Sequence, residues 1–367
     1  MPRVVVKTSS YDYKQLKPNI HSLLEEFVGS AVSPGKVIVI KPNFLAPATP
    51  ESAILTNPFV VRAVVEYVLE KGAKPVIADS QAVGSFSRIL KTGGFATALE
   101  GLDVEFREFR RSVLVDIGEP FGKIEMAADA LEADVLINLP KLKTHCQMLL
   151  TLGVKNLFGC IVGLRKPEWH LRAGVDRDMF ARLLVQIYAV VKPSVTILDG
   201  ILAMQGQGPG RSGKPRELNV LMASDNALAL DMAVCRMFGL GPDELPTNRM
   251  ASKMGLVPEY HIEGQLPQID DFRLPLMIPL VFGPRRFHKF LRKYVTQRPV
   301  VKAALCRSCG ECSKYCPAKA ITPEKNCVVF DYDKCIRCYC CIEVCPHGAL
   351  ETKDTLAGKA FRKMFKS

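Results

Sequence analysis

Two short apolar stretches, VIVIKP at residues 37–42 and KPVIADS at residues 74–80, decide the fold. Both are rich in β-branched residues and have the length of a buried strand. The residues between them, Pro58 to Lys71, carry apolar side chains at helical spacing. A strand, a helix and a second strand in this order predict a βαβ unit and a parallel sheet with helices on its faces.

The same alternation continues along the chain. Further strands are predicted at residues 101–109, 134–143, 194–200 and 217–224, and helices at residues 126–133, 179–192 and 226–240. Asp225 is a candidate N-cap for the last of these helices. We therefore expect an α/β domain with a doubly wound, mostly parallel sheet over residues 1–268.

Polar residues follow several of the predicted strands. In open α/β sheets, ligands bind outside the carboxyl ends of the strands, so these residues are candidates for a binding site. They are Lys41, Asn43, Asp79, Ser80, Lys141, Lys143, Thr144, His145 and Asp199. Positions 141–145 can bind an anion and donate a proton, although a lysine in such a place is also compatible with simple solvation.

Two later stretches add candidates to this pocket. Lys155 and Asn156 lie in TLGVKNLFG, whose glycines permit close approach of the backbone. His170 lies in KPEWHLR, beside the one tryptophan of the chain. We predict His145 as proton donor, with His170 as the second choice and Lys143 as a further catalytic residue. The remaining strand-end residues, Lys155 and Asn156 would bind the substrate.

The glycine-rich stretch MQGQGPGRSGKP at residues 204–215 leaves three interpretations open. Its backbone N–H groups could hold a phosphate or carboxylate, or it could be a mobile lid or a plain connection. It lacks the spacing of a P-loop, and Pro209 argues against a dinucleotide-binding turn.

The strongest motif lies near the C-terminus, where C-x2-C-x2-C-x3-C-P occurs twice between Cys306 and Pro346. In two-cluster proteins the fourth cysteine of each run binds the other cluster. One [4Fe-4S] cluster is therefore assigned to Cys306, Cys309, Cys312 and Cys345, and the second to Cys335, Cys338, Cys341 and Cys316. This segment resembles a bacterial-type two-cluster ferredoxin over residues 303–352, with a hairpin predicted around residues 320–330.

Zinc and disulfides are the alternatives to clusters. Zinc sites favour paired CxxC motifs at the spacing of a zinc knuckle. Disulfide frameworks belong to short secreted chains. Neither alternative fits two complete C-x2-C-x2-C-x3-C-P runs. The remaining cysteines are predicted to be packed thiols; they are Cys146, Cys160, Cys235, Cys327 and Cys340. Cys146, beside His145, is also a candidate nucleophile.

Composition limits the partners and the compartment. The formal net charge is +12, and two oxidised clusters at about −2 each leave the holo protein near +8. The basic residues are dispersed and match no nucleic-acid-binding module, so nucleic acid is not an expected partner. The N-terminus does not resemble a signal peptide, and the many thiols favour a reducing cytoplasm, in an organism with anaerobic metabolism.

Residues 269–302 are predicted to be a linker that contains a basic amphipathic helix at residues 285–294. Residues 353–367 form a basic tail. These segments favour either packing between the domains, which we prefer, or membrane-surface association.

Several motifs together resemble the uncharacterised family known as domain of unknown function 362. They are KPN (41–43), PKLKTH (140–145), GVKNLFGC (153–160), the region of His170, LDGI (198–201) and SDNALALD (224–231). The resemblance spans about residues 37–240 and includes frequent fusion to ferredoxin segments. It implies no established activity.

The leading hypothesis is an iron–sulfur oxidoreductase that takes single electrons from a donor protein and passes them through two clusters to an anionic substrate or additional cofactor. The alternative is an electron carrier or metalloenzyme-maturation factor that docks a partner through its strand-end lysines. Nucleotide transfer or ligation by the glycine-rich stretch is a third hypothesis.

Overall fold

The computed structural model describes residues 1–163, 165–173, 176–275 and 294–359. In these ranges the strands are β1 (Arg3–Thr8), β2 (Val37–Pro42), β3 (Lys74–Asp79), β4 (Glu105–Glu108), β5 (Ser112–Asp116), β6 (Lys123–Ala127), β7 (Val135–Leu139), β8 (Lys141–His145), β9 (Leu149–Thr151), β10 (Val195–Gly206), β11 (Gly213–Ser224), β12 (His261–Glu263), β13 (Arg298–Val301), β14 (Ile321–Pro323), β15 (Val328–Phe330) and β16 (Leu350–Lys353). The α-helices are α1 (Tyr13–Val28), α2 (Pro58–Glu70), α3 (Phe86–Thr92), α4 (Phe95–Ala98), α5 (Ala128–Leu131), α6 (Gly153–Asn156), α7 (Arg165–Ala173), α8 (Arg177–Val191), α9 (Ala227–Met237), α10 (Pro246–Lys253), α11 (Glu311–Lys314) and α12 (Cys340–Val344).

The central sheet has the order β12-β1-β11-β10-β7-β2-β3-β4. Strands β10, β7, β2, β3 and β4 run parallel to one another, whereas β11 is antiparallel to both β10 and β1. Strand β8 lies outside this order and pairs with β10 and β9. The prediction of a mostly parallel α/β sheet is therefore confirmed, with an antiparallel part at one side.

Helices cover both faces of the sheet, because the central strands are apolar on both sides. On one face, Ile38, Ile40 and Ile77 pack with the apolar sides of α1 and α2. On the other face, Val39 and Val76 pack with α8. Helix α2 begins where its sequence indicates, since the side chain of Asn57 accepts a hydrogen bond from the backbone N–H of Phe59 and Pro58 follows the cap.

Two local predictions were wrong. Residues 134–143 form two strands instead of one, because Pro140 lies between β7 and β8. Asn226, not Asp225, caps α9 and accepts hydrogen bonds from the backbone N–H groups of Leu228 and Ala229. The glycine-rich stretch at residues 204–215, for which three interpretations were open, is the hairpin connection between β10 and β11, and both strands extend into it.

The cysteine-rich segment forms a small unit of two short antiparallel pairs, β13 with β16 and β14 with β15. The second pair is the hairpin predicted around residues 320–330. The apolar residues Val328 and Ile342 of this unit pack in one cluster with Val83 and Cys146 of the α/β domain. The cysteine-rich segment therefore lies against the domain at the edge where β8 ends.

The predicted basic helix at residues 285–294, except its last residue, and most of the basic tail lie outside the described residues. Within the described part, no helix has the length and apolarity needed to cross a membrane.

Candidate functional site

A cavity of about 260 Å³ lies between the carboxyl ends of the sheet strands and the cysteine-rich segment. The α/β domain contributes predicted site residues to its wall, namely Asn43, Asp79, Ser80, Lys143, His145, Lys155, Asn156 and His170. The cysteine-rich segment contributes Tyr315, Cys340, Glu343 and Val344. The structure therefore places eight of the predicted residues in one cavity. This cavity lies at the carboxyl ends of the strands, where ligands bind in open α/β sheets.

A chain of buried amides fixes one side of this cavity. The ammonium group of Lys143 donates to Oδ1 of Asn43 at 2.7 Å and to the carbonyl oxygen of Ile54 at 2.6 Å. Nδ2 of Asn43 donates to Oδ1 of Asn156 at 2.7 Å, and Asn156 donates in turn to Asn138 at 2.8 Å. Because an ammonium group carries three protons and these contacts use two, Lys143 retains one for the cavity.

Burial and the nearby positive charge of Lys155 lower the pKa of Lys143 to about 7. Its ammonium group is almost completely shielded from bulk solvent, with 1% of the residue exposed. A buried amine with a pKa near neutrality can both bind an anion and release a proton at physiological pH.

Two further lysines face the cavity. The ammonium group of Lys155 lies over the rings of Phe158 and Phe180, 5.8 and 5.9 Å from their centroids. Within the described residues it has no hydrogen bond or ion pair, and burial lowers its pKa. Lys166 donates to the backbone oxygen and hydroxyl of Ser80 at 2.6 and 2.8 Å, and burial lowers its pKa to about 8. Lys155 is thus the cation most available to a ligand.

His145 connects the domain to the cysteine-rich segment. Its Nδ1 accepts hydrogen bonds from the backbone N–H groups of Gln147 and Met148, so the neutral ring carries its proton on Nε2. Nε2 lies 3.0 Å from Oε1 of Glu343, yet neither atom has a hydrogen-bond partner of good geometry among the described residues. Both atoms are buried at the cavity wall and remain able to bond a ligand.

Burial and nearby charges together set the protonation states of His145 and Glu343. Burial and the charge of Lys155 lower the pKa of His145 to about 4, so the ring is neutral at pH 7. Burial alone would raise the pKa of Glu343, but attraction by His145 and Lys155 outweighs it and lowers the pKa to about 2. Glu343 is therefore a carboxylate at pH 7, and the carboxylate charge faces a neutral imidazole.

His170 lines the same cavity from α7. Its ring stacks on Phe180 at a centroid distance of 4.3 Å. Burial lowers its pKa to about 3, and its Nδ1 has no hydrogen-bond partner in the described part of the chain. His170 is thus a neutral ring available for hydrogen bonding, not an imidazolium acid.

Four predicted site residues do not line the cavity. Lys141 and Asp199 form a buried ion pair of 2.8 Å, and the hydroxyl of Tyr11 bonds both of them at 2.7 Å. Thr144 accepts a hydrogen bond from the backbone N–H of Gly208. The structure gives these three residues positions inside the fold instead of on the cavity wall.

Lys41, the fourth of these residues, lies behind the wall and pairs with Asp79 at 2.9 Å. Asp79 also accepts hydrogen bonds from the backbone N–H groups of Phe44 and Ser80. A Cβ atom at Gly159 would collide with both Lys41 and Asp79, so glycine is required for this close approach. The pair thus holds the loops after β2 and β3 in place.

The tip of the β10–β11 hairpin contacts the cysteine-rich segment. The hydroxyl of Ser212 donates to the backbone oxygen of Leu350 at 3.0 Å, and Thr352 donates to Gln207 at 3.0 Å. A Cβ atom at Gly210 would approach the backbone oxygens of Ile342 and Glu343. Gly210 therefore permits a close contact between the two parts of the chain, whereas Gly208 and Gly213 pack against Thr144 and Met204 of the α/β domain. Neither a phosphate cradle nor a lid is needed to explain these glycines.

The eight cysteines of the repeated motif surround two small cavities. One is lined by Cys306, Cys309, Cys312 and Cys345. The other is lined by Cys316, Cys335, Cys338 and Cys341. No set of three or more histidine, cysteine, aspartate or glutamate side chains in the described ranges is placed to hold a single metal ion. Four thiolates around a space suit a cubane cluster, which is larger than one ion.

Sequence reasoning missed several wall residues, above all Lys166, Thr151, Glu343 and Tyr315. Lys166 lies four residues before His170, on the same side of α7, and this helical spacing was an available signal. Glu343 follows β8 by almost 200 positions, and no sequence pattern pairs it with His145.

The α/β sheet, the strand-end cavity and the cysteine-rich segment define an α/β protein with an attached iron–sulfur electron-transfer module. Residues 38–236 match the family described as Domain of unknown function (DUF362), and residues 328–351 match a 4Fe-4S binding domain. The chain belongs to the DUF362 family, and it carries at least one [4Fe-4S] cluster-binding module.

Three similar proteins agree with this family assignment and with the iron–sulfur module. The chain is 37% identical over 288 residues to the Thylakoid-associated protein sll1697 of Synechocystis sp., covering 76% of this chain and 89% of that protein. It is 39% identical over 51 residues to the Electron transport protein HydN of Escherichia coli, covering 13% of this chain and 29% of that protein. The Pyruvate synthase subunit PorD of Thermotoga maritima is 39% identical over 57 residues, 15% of this chain and 58% of that protein. The short matches support iron–sulfur electron transfer.

A solved structure, the lactate racemase apoprotein of Thermoanaerobacterium thermosaccharolyticum, aligns with a TM-score of 0.42 and 15% sequence identity. The alignment covers 62% of this chain and 55% of that chain.

Proposed function

We propose that the protein is an iron–sulfur oxidoreductase that delivers single electrons to an anionic substrate or cofactor bound in the cavity. In this proposal residues 1–268 bind the substrate, residues 303–352 hold two [4Fe-4S] clusters, and residues 269–302 link them. The clusters supply low-potential single electrons.

One observation carries the proposal: the cavity wall includes the immediate neighbours of three proposed cluster ligands. Tyr315, Cys340 and Val344 line the cavity, and in sequence they precede Cys316, Cys341 and Cys345. A ligand in the cavity therefore lies beside both cysteine sets. This arrangement is expected where electrons pass between the clusters and the ligand.

The lysines favour an anionic ligand. Lys143, Lys155 and Lys166 face the cavity, whereas Asp79 is already paired with Lys41 behind the wall. Glu108 also lines the cavity and is paired with Arg110 at 2.8 Å. Glu343 is the remaining acid of the wall, so the three lysines leave the cavity with a net positive charge. Buried ammonium groups in a water-poor space bind carboxylate or phosphate more strongly than exposed ones.

Lys143 is a better proton donor than His145. To act as a proton donor, His145 would have to be a protonated imidazolium with a hydrogen on both ring nitrogens. Its Nδ1 accepts backbone hydrogen bonds and therefore carries no hydrogen. The pKa of Lys143, about 7, is well matched to proton transfer at neutral pH. In our proposal Lys143 donates the proton that accompanies reduction, and His145 orients the ligand.

The experiment is anaerobic purification followed by mass-spectrometric identification of small molecules that remain bound. Wild type is compared with Lys155→Gln and with Lys123→Gln, which changes an exposed lysine on β6. We expect an anionic molecule in wild type and Lys123→Gln, at least tenfold depleted in Lys155→Gln, and able to reoxidise the reduced clusters. Retention in Lys155→Gln, or a bound molecule that leaves the reduced clusters unchanged, would contradict the proposal.

The alternative of a docking face built from strand-end lysines has no support in the structure. Lys41, Lys141 and Lys143 are each at most 1% exposed. A protein partner cannot reach them without unfolding of the strand ends.

A further inference from the structure

The two cysteine sets differ in their exposure to solvent. In the first set, which lines one small cavity, Cys309 is exposed, Cys306 and Cys345 are half-buried and Cys312 is buried. In the second set Cys335, Cys338 and Cys341 are buried and Cys316 is half-buried. The first set therefore lies nearer to the protein surface than the second.

The second set lies nearer to the interior cavity. Two residues of the cavity wall, Tyr315 and Cys340, precede the second-set ligands Cys316 and Cys341, whereas one, Val344, precedes the first-set ligand Cys345. Electrons that enter the chain from outside would then arrive at the first set and leave from the second toward the cavity.

We propose that the surface around Cys309 docks an acidic one-electron carrier protein. This donor-docking surface consists of Leu305, Arg307, Cys309, Pro346 and His347. The inference rests on the proposed function, because it takes the two cysteine sets as cluster ligands. In the reaction the carrier loses one electron and is oxidised, and this chain gains one electron and is reduced; no bond breaks.

The composition of this surface fits such a partner. Leu305 is 46% exposed and directly precedes the first cluster ligand, Cys306. Arg307 and His347 line the cavity of the first set together with Cys309, so they lie close to one another. Arg307 is exposed and has no ion pair within the described residues, while the half-buried Glu311 is an acid nearby.

An apolar centre beside an exposed, unpaired arginine suits a weak, transient complex with an acidic protein. Apolar contact excludes water at the centre of such an interface, and rim charges steer the encounter. Electron-transfer complexes of this kind need only a small contact area. The formal net charge of the whole chain, +12 before cluster loading, also attracts an acidic partner.

The test measures the reduction of the cluster-loaded protein by a reduced, acidic two-cluster ferredoxin in an anaerobic stopped-flow instrument without substrate. Arg307→Glu is the variant, and Lys123→Glu, which makes the same charge change on remote β6, is the matched control. We expect Arg307→Glu to lower the second-order rate constant about fivefold at low salt and much less at high salt. Lys123→Glu should stay within a factor of two of wild type.

Two further measurements separate docking from damage to the cluster site. Reduction by dithionite, a small reductant, should be unchanged in Arg307→Glu. A soluble paramagnetic relaxation agent should broaden the electron paramagnetic resonance signal of the first-set cluster, which lies nearer to the surface, more than that of the second-set cluster. Equal rate losses in both variants, or equal broadening of the two signals, would overturn the inference. Neither result depends on a substrate, so a failure here leaves the cavity proposal to its own test.

Discussion

Anion binding in the cavity should take up protons. The pKa of Lys143 is about 7 because of burial and repulsion by Lys155. An anion close to this amine favours its ammonium form and raises the pKa. Binding is therefore strongest at low pH and weakens as the pH rises through 7.

The magnitude follows from the titration of Lys143. Its amine is about nine-tenths protonated at pH 6 and about one-tenth at pH 8, so Lys143 alone should lower the affinity about tenfold between these values. At pH 7 binding should take up about half a proton at Lys143. Lys166, with a pKa of about 8, should add about a tenth of a proton.

Isothermal titration calorimetry with sulfate measures this uptake, because sulfate keeps its charge over this pH range. Titrations at pH 7 in two buffers of different ionisation enthalpy give the number of protons directly. In Lys143→Met the uptake should fall by about half a proton, whereas Lys123→Met should match wild type. An uptake near zero in wild type, or an affinity that rises with pH, would refute this account of Lys143.

Three other changes have expected outcomes. Lys141→Met leaves the buried carboxylate of Asp199 without its cation and should lower the free energy of unfolding by about 3–5 kcal/mol in urea titrations, while adding Asp199→Asn should restore part of this loss. Because burial lowers the pKa of His145 from 6.5 to about 4, its contribution to stability is present above pH 6.5 and is lost as the pH falls through 4. The loss at pH 4 is about 3 kcal/mol, and His145→Gln should remove this part of the pH dependence of unfolding. Cys316→Ala should lower the iron content of anaerobically purified protein from about eight to about four atoms per chain; a count unchanged from wild type would exclude this ligand.

Local sequence patterns predicted the parallel part of the fold well. The β-branched runs of β2 and β3 and the helical spacing of α2 depend on nearest neighbours along the chain, so they are visible in a single sequence. The antiparallel side was harder to predict. Strand β1 pairs with β11, whose residues are more than 200 positions away, and no local pattern records such a pairing.

The candidate site shows the same limit. The rule for open sheets collected Lys143, His145 and Asn43, which line the cavity, but it also collected Lys141 and Asp199, which face the interior. A lysine after a strand has the same sequence signal whether its ammonium group meets a ligand or a buried carboxylate. Only the position of Asp199 on β10, 2.8 Å from Lys141, distinguishes the two cases.

If the cavity binds the substrate as proposed, the placement of Glu343 would make loading of the iron–sulfur module a condition for substrate recognition. Glu343 lies on α12, a helix of five residues that also carries Cys341. A helix this short has little stability of its own in water, so its position depends on what its cysteine binds. Protein that has lost its iron would lack one wall of the cavity and would not trap a substrate that it could not reduce. Ligand screens on protein handled in air would then sample an incomplete binding site, and assembly of the module would act as a checkpoint on catalysis.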